Sequence, residues 1–314
     1  MNAARLRTWW GWQHGGYVWK RQRRALLLFI LLVTVLAVGD LSFALNNGVS
    51  KGYVDLRIWR DISRGYFADT SVPLYETYPS YLYPPFFITL IGPLFELPDH
   101  IATALFQTLK WAALIMACWL SWRLCSPRGE SLPPAVTIGS FLLAARFFEN
   151  SLKCGNINMF IFLAVVAAAW LAQRGKLGWA GFIAGIAACT KVTPALLIAY
   201  FVYKGWWRAL IGVAVAAVVC LLIYPALFLG WENNLRQLAG WWDYLPRGFL
   251  AEGRVNSFYW NQSLPAILNR LVGPAAAFPP DICVAPFILP AWALTTIRSL
   301  LLVGGLGGLA YACR

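Results

Sequence analysis

Long apolar runs separated by short polar joints dominate this chain: 25–45, 101–122, 133–149, 156–173, 177–190, 193–203, 207–229 and 288–312. Roughly 20 apolar residues cross a ~30 Å hydrocarbon core as a helix, and several of these runs approach or exceed that length. Stretches such as Val213–Leu222 do not alternate apolar and polar positions as barrel strands do. The pattern therefore predicts an all-α polytopic membrane bundle forming one integral domain, 1–314. Two of the runs, 177–190 and 193–203, are short for crossing helices. Between them lies Thr190-Lys191-Val192-Thr193-Pro194, where proline interrupts the backbone ladder. Such breaks are tolerated at membrane depth where the backbone lines a polar cavity. Residues 84–98 are also apolar, but they are few and contain Pro84, Pro85 and Pro93. They are expected to form a surface or re-entrant helix.

The polar intervals carry the candidate chemistry. Over 52–66 a helix would place Asp55, Trp59, Ile62 and Tyr66 along one face, with Arg57, Arg60 and Arg64 as a neighbouring basic stripe. This pattern fits an interfacial amphipathic helix. The plainer alternative is a solvated face on which Asp55 pairs with the arginines. Next comes Tyr75-Glu76-Thr77-Tyr78-Pro79-Ser80-Tyr81-Leu82-Tyr83-Pro84-Pro85-Phe86, which suits either a rigid sugar-supporting wall or an ordinary aromatic belt. Lys191 is the sharpest single residue. A charge at bilayer depth costs about 2.5–3.5 kcal/mol on insertion scales, so an intramembrane lysine is a functional candidate by default. Glu149–Asn158 and Asn261-Gln262-Ser263-Leu264 are further polar clusters, able to bind a sugar or to cap helices.

Composition sharpens this picture. Hydrophobic residues make up 60% and charged residues 12%, against about 25% charged in soluble domains. In a membrane chain the formal charge of +13 reflects basic loops rather than a nucleic-acid partner. The first run follows Arg5, Arg7, Lys20, Arg21, Arg23 and Arg24 and continues through Asp40 without a small-residue cleavage site, so it reads as an uncleaved first span with a cytoplasmic N-terminus. If 84–98 does not cross, Arg123/Arg128, Arg174/Lys176 and Lys204/Arg208 all fall on that same side. The segments 46–100, 149–156, the joint at Lys191 and 230–287 are then extracytoplasmic. The seven cysteines form no CxxC pair and the two histidines are scattered, so neither a metal nor a cofactor is expected. A Walker loop, a GxGxxG fingerprint, an Asp-Xaa-Asp motif and a serine nucleophile elbow are all absent from the sequence.

Several motifs in shared order resemble one family: Asp55 with its Trp/Tyr-rich helix, Tyr83-Pro84-Pro85, Gly155-Asn156-Ile157-Asn158, Ala180-Gly181-Phe182-Ile183-Ala184-Gly185, Lys191-Val192-Thr193-Pro194 and Asn261-Gln262-Ser263-Leu264. Together they look like glycosyltransferase family 87 of the GT-C superfamily, the polyprenol-phosphate-mannose-dependent mannosyltransferases. The resemblance implies a GT-C-type helical bundle of the inner (cytoplasmic) membrane with interfacial helices in an extracytoplasmic catalytic loop, 46–100. It further implies transfer of a hexose, mannose by the family's habit, from a polyprenyl-phosphate donor to a lipid or glycan acceptor. Asp55 would be the general base of one inverting, metal-free step. The residues add Lys191 as phosphate partner with Arg57 and Arg60 in reserve, and Tyr83, Asn156, Asn158, Asn261 and Gln262 as the sugar and acceptor pocket. Two departures stand out: Asn156 replaces the usual Gln, and the chain is C-terminally short relative to the family. A membrane transporter or lipid-carrier flippase, which also uses broken helices and intramembrane charge, is the main alternative from another class. A silent membrane scaffold is the third.

Overall fold

The computed structural model describes residues 17–125, 134–247, 264–272 and 288–312. Among the described residues no strand occurs, and the protein is an all-α membrane protein. Helix α1 covers Tyr17–Asn47, α2 Val54–Ala68, α3 Leu74–Thr77 and α4 Pro85–Ile91, the last continued by a 3-10 segment at Gly92–Glu96. Then come α5 (Asp99–Cys125), α6 (Pro134–Cys154), α7 (Asn158–Gln173), α8 (Leu177–Thr190), α9 (Ala195–Tyr203) and α10 (Trp207–Ala217). A π segment at Val218–Ile223 leads into α11 (Tyr224–Leu229), and α12 covers Trp231–Trp242. Three stretches among the described residues are long and apolar enough to cross a membrane: Leu27–Asn47, Asp99–Cys125 and Trp207–Leu229. The 84–98 region is instead a 7-residue helix followed by a 5-residue 3-10 turn. At about 1.5 Å per residue that is too short to span.

The chain divides into two compact units, 1–241 and 242–314. In the first, α5 packs against α1 and α7, α7 against α8, and α8 against α10. Apolar lipid tails give two membrane helices little hydrophobic reason to associate, so close approach over small residues supplies the attraction. At the α8–α10 contact a Cβ added to Gly181 would collide with the Ala209 carbonyl, and one added to Gly212 with the Gly178 carbonyl. Ala184 and Ala209 are fully buried beside them. The small-residue string Ala180–Gly185 is therefore explained by packing. In the second unit α13 (Leu264–Val272) and α14 (Ala291–Ala312) are joined where the Leu289 amide donates to the Val272 carbonyl at 2.8 Å.

The π segment has a local cause. Pro225 has no N–H, which leaves the Leu221 carbonyl without its usual helical donor. Asn234 Nδ2 on α12 supplies the replacement, donating to Leu221 O at 2.9 Å. Other side chains of α12 hold the segment before α3. Asn233 Nδ2 donates to Thr70 O at 2.8 Å, Gln237 Nε2 donates to Val72 O at 2.9 Å, and Gln237 Oε1 accepts the Leu74 amide at 2.9 Å.

Candidate active site

The site is built on the C-terminal end of α6. A helix leaves its last four carbonyls without internal partners, and here three of them are used to attach other elements. Lys110 Nζ on α5 donates to Ser151 O at 2.6 Å, and Gln107 Nε2, one turn earlier, donates to Leu152 O at 3.0 Å. The Tyr53 amide donates to Lys153 O at 3.2 Å. This last bond seats the start of α2 on the end of α6.

Tyr53 has φ 52° and is, among the described residues, the sole non-glycine residue with positive φ. For an L-residue this region costs roughly 1–2 kcal/mol, so other contacts must hold it. Its hydroxyl donates to Asp40 Oδ1 at 2.8 Å, and Asp40 Oδ2 accepts the Trp111 indole N–H at 2.9 Å. Burial and the nearby Asp40 carboxylate raise the Tyr53 phenol above its ordinary range. Gly155, at φ 71°, lies directly beneath. A Cβ there would stand 2.8 Å from the Tyr53 Cβ and 3.0 Å from the Leu56 Cβ. The glycine is required both by its backbone and by this close approach.

Two residues past Tyr53, Asp55 occupies the first turn of α2. Leu56, Trp59, Ile62 and Tyr66 form the buried face of that helix, with Asp55 half-buried at its margin. Burial raises the Asp55 carboxyl above its ordinary range, and the positive charges of Lys191 and Lys110 oppose the shift. Two of the three arginines of the same helix are engaged elsewhere. Arg60 pairs with Asp61 at 2.7 Å and with Asp99 at 2.5 Å, and Arg64 pairs with Asp99 at 2.9 Å. Arg57 is exposed. Pairing of Asp55 with the stripe, the plainer sequence alternative, is not what the side chains do.

Lys191 is the extended residue that ends α8, at φ −145°. Its Nζ donates to Asn158 Oδ1 at 2.7 Å, and Asn158 opens α7. Asn156 is spent on the turn between α6 and α7, where its Oδ1 accepts from Ser151 Oγ at 2.5 Å and from the Asn158 amide at 3.1 Å. This Asx-type bond sets the approach of α7 and makes Asn156 a support for Asn158. Tyr83 forms the aromatic wall. Its ring lies 5.5 Å from Trp59 and 4.5 Å from Phe87, centroid to centroid. Burial and the Asp55 charge raise its phenol. Behind it, Tyr75 donates to Tyr83 O at 2.8 Å and Tyr81 donates to Pro84 O at 3.1 Å, which fixes the Tyr-Pro-Pro strap.

Asp55, Tyr83, Asn156, Asn158 and Lys191 thus come together, and Arg60 is drawn away to Asp99. Asn261 and Gln262 lie outside the described residues. Sequence reasoning passed over Lys110 and Asp40, although each is an ionisable residue inside an apolar run and so carried the same signal that singled out Lys191. It also missed the grip of α12 on residues 70–74, because asparagine and glutamine at helical spacing give no hint of a partner some 160 positions away.

A family model described as glycosyltransferase family 87 matches residues 81–314, beginning after Asp55. Among curated proteins, the chain is 26% identical over 294 residues to a polyprenol-phosphate-mannose-dependent alpha-(1-2)-phosphatidylinositol pentamannoside mannosyltransferase of Mycobacterium tuberculosis, covering 90% of this chain and 63% of that protein. A Mycolicibacterium smegmatis protein of the same description is 26% identical over 89% of this chain and 65% of its own length. An alpha-(1->3)-arabinofuranosyltransferase of Mycobacterium tuberculosis is 29% identical over 56% of this chain and 42% of its length. The chain therefore spans less than two thirds of the mannosyltransferases it matches. No solved structure matches it.

Proposed function

The chain belongs to glycosyltransferase family 87, and from that premise we propose that it transfers a hexose, mannose in our reading, from a polyprenyl-phosphate donor to a hydroxyl of a lipid or glycan acceptor on the extracytoplasmic face. One observation carries the reading. Asp55 is a half-buried carboxylate at the start of α2, seated on the end of α6 from which the Asn156 turn leads to Asn158 and Lys191, while Arg60 and Arg64 are turned to Asp61 and Asp99.

A polyprenyl phosphate is already an activated leaving group, so the protein must supply a base for the acceptor and a cation for the departing phosphate. The acceptor oxygen attacks the anomeric carbon as the bond to the phosphate oxygen breaks. The bonding electrons leave with the phosphate, the hydroxyl proton passes to Asp55, and the anomeric configuration inverts in one step. Lys191 is the phosphate cation. It is held by a single neutral side chain, Asn158, which it can release or share. Arg57, exposed on the same helix as Asp55, is the reserve cation, since Arg60 is committed to two carboxylates. Tyr83 offers a ring face to the sugar, and Asn158 a polar contact positioned through Asn156.

The activity test incubates the reconstituted full chain with radiolabelled polyprenyl-phosphate-mannose, or with the arabinofuranose counterpart, in a total lipid and glycan extract. Movement of mannose label into the extract supports the reading, and movement of arabinofuranose alone corrects the sugar. Label that stays on the carrier with both donors sinks it. For sidedness, cysteines placed at Ser80 and Leu97 should both react with an impermeant thiol reagent in intact cells. Protection of position 97 alone, reactive after lysis, would mean that 84–98 crosses.

A further inference from the structure

Lys110 is fully buried, yet the reaction described above gives it no role. Burying an ammonium is costly unless opposite charge and hydrogen bonds compensate it. Among the described residues its one hydrogen-bond acceptor is Ser151 O, at 2.6 Å, with the Phe106 ring centroid 5.7 Å away. A carbonyl at the negative end of a helix compensates part of a charge. Two carboxylates stand at this same end of α6: Asp40 on α1, which holds the Tyr53 hydroxyl and the indole of Trp111, the residue after Lys110, and Asp55 on α2, whose first turn is seated there by the Tyr53 amide on Lys153 O. The groups facing Asp55 from other elements are Lys110 from α5, Lys191 from the α8–α9 joint, Tyr83 from the segment before α4, and Cys154 from α6.

Resting on the base role of Asp55, we propose that Lys110 is a positioning residue of the reaction: a fixed ammonium, locked to the end of α6, that keeps Asp55 ionised while the donor occupies Lys191. The two lysines differ in freedom. Lys191 is partly exposed and tied to one amide, so it can turn to a phosphate. Once it does, its charge is shared with that phosphate and compensates Asp55 less. Lys110 is sealed in and cannot be recruited. Charge balance gives the second cation its place: without Lys110 the donor-occupied cluster would carry two net negative charges instead of one. Asp40, Asp55, Lys110 and Lys191 sum to zero, and the donor diester adds one negative charge. As the sugar leaves, the phosphate gains a second negative charge while Asp55 loses its own by taking the acceptor proton. The total is therefore unchanged through the transfer, provided Asp55 began as a carboxylate.

The test titrates Asp55 directly by infrared spectroscopy of its protonated carbonyl band, assigned by loss of that band in Asp55→Asn, alongside the pH dependence of sugar transfer. In Lys110→Gln, which keeps a donor for Ser151 O but no charge, the Asp55 midpoint should rise by about one pH unit, the lower end of the shift an opposite charge produces. Transfer on the acid side should fall ~10-fold and recover at alkaline pH. Lys110→Arg, where it inserts, should restore the wild-type midpoint. An unmoved midpoint, with transfer reduced equally at every pH, would leave Lys110 a helix cap and overturn the proposal. So would a wild-type Asp55 that titrates above neutrality, and that reading needs no variant to fold. The infrared titration is independent of turnover. If Asp55→Asn still transfers sugar, it is the base assignment that fails.

Discussion

Two charged clusters lie on or beside the same helix and behave in opposite ways. At its outer edge, Arg60, Arg64, Asp61 and Asp99 satisfy one another within 2.9 Å, largely in contact with solvent. At its start, Asp55, Lys191, Lys110 and Asp40 influence one another electrostatically, yet no pair among them closes to a direct ion pair. The first arrangement is complete and has nothing left to offer a ligand. In the second, three of the four groups are held short of their opposites by neutral partners: Asn158 for Lys191, Ser151 O for Lys110, and Tyr53 and Trp111 for Asp40. Opposite charges kept apart in a partly dry setting leave room for a polar substrate and retain strong fields. The difference teaches that a pairable charge is less informative than a charge prevented from pairing.

The contrast breaks most visibly at Asp55. Asp55→Asn should insert normally and lose about 10²- to 10⁴-fold in transfer, the usual contribution of a general base. Its raised carboxyl also fixes a pH dependence. The base form appears only as pH climbs through that raised value, so wild-type transfer should fall on the acid side earlier than an ordinary carboxylate would allow. The stability sign is opposite. Between the unfolded and the raised folded values the unfolded state has already lost its proton, so the raised value favours folding at low pH and that advantage is lost as pH rises. Asp55→Asn should therefore melt no lower than wild type at neutral pH. Near-normal turnover in a well-expressed Asn variant rules out the base.

Next in size is Lys191. Lys191→Met should lose about 10²- to 10³-fold, the scale for one stabilising donor at developing charge, with weaker donor binding. Lys191→Arg should keep part of the rate because it keeps a cation with different reach. Initial rates against donor concentration decide this, and unchanged kinetics in the Met protein would make Lys191 a snorkelling residue. Smaller again is Gly155→Ala, which acts only by displacing Tyr53 and Asp55. Misplacement by about 1 Å can cost up to ~100-fold, and the backbone strain alone about 1–2 kcal/mol of stability. A lower melting temperature with transfer intact would show that the α6–α2 contact does not position the base. The smallest effect belongs to the other cluster. Arg64 is about half-exposed, so Arg64→Gln should change stability by about 0.2–1 kcal/mol, as exposed pairs do, and transfer by less than about twofold. A large catalytic loss there would erase the distinction between the clusters.

Helix content, the break at Thr190–Pro194 and the shortness of 84–98 followed from the sequence, because apolar run length and proline act locally and need no partner. So did the candidacy of Asp55 and Lys191, one through the motif order that resembles the family and the other by its cost at membrane depth. The sequence could not say that Arg60 leaves Asp55 for Asp99, 39 positions away, that Gly155 is the floor beneath Tyr53, or that Asn156 holds a turn while Asn158 meets Lys191. Those outcomes depend on which helix end lies against which carbonyl, and a one-dimensional pattern does not contain that information. Charge type and helical face are properties of a segment. Whether a charge finds its opposite, or is kept from it, is decided only when separate segments pack together.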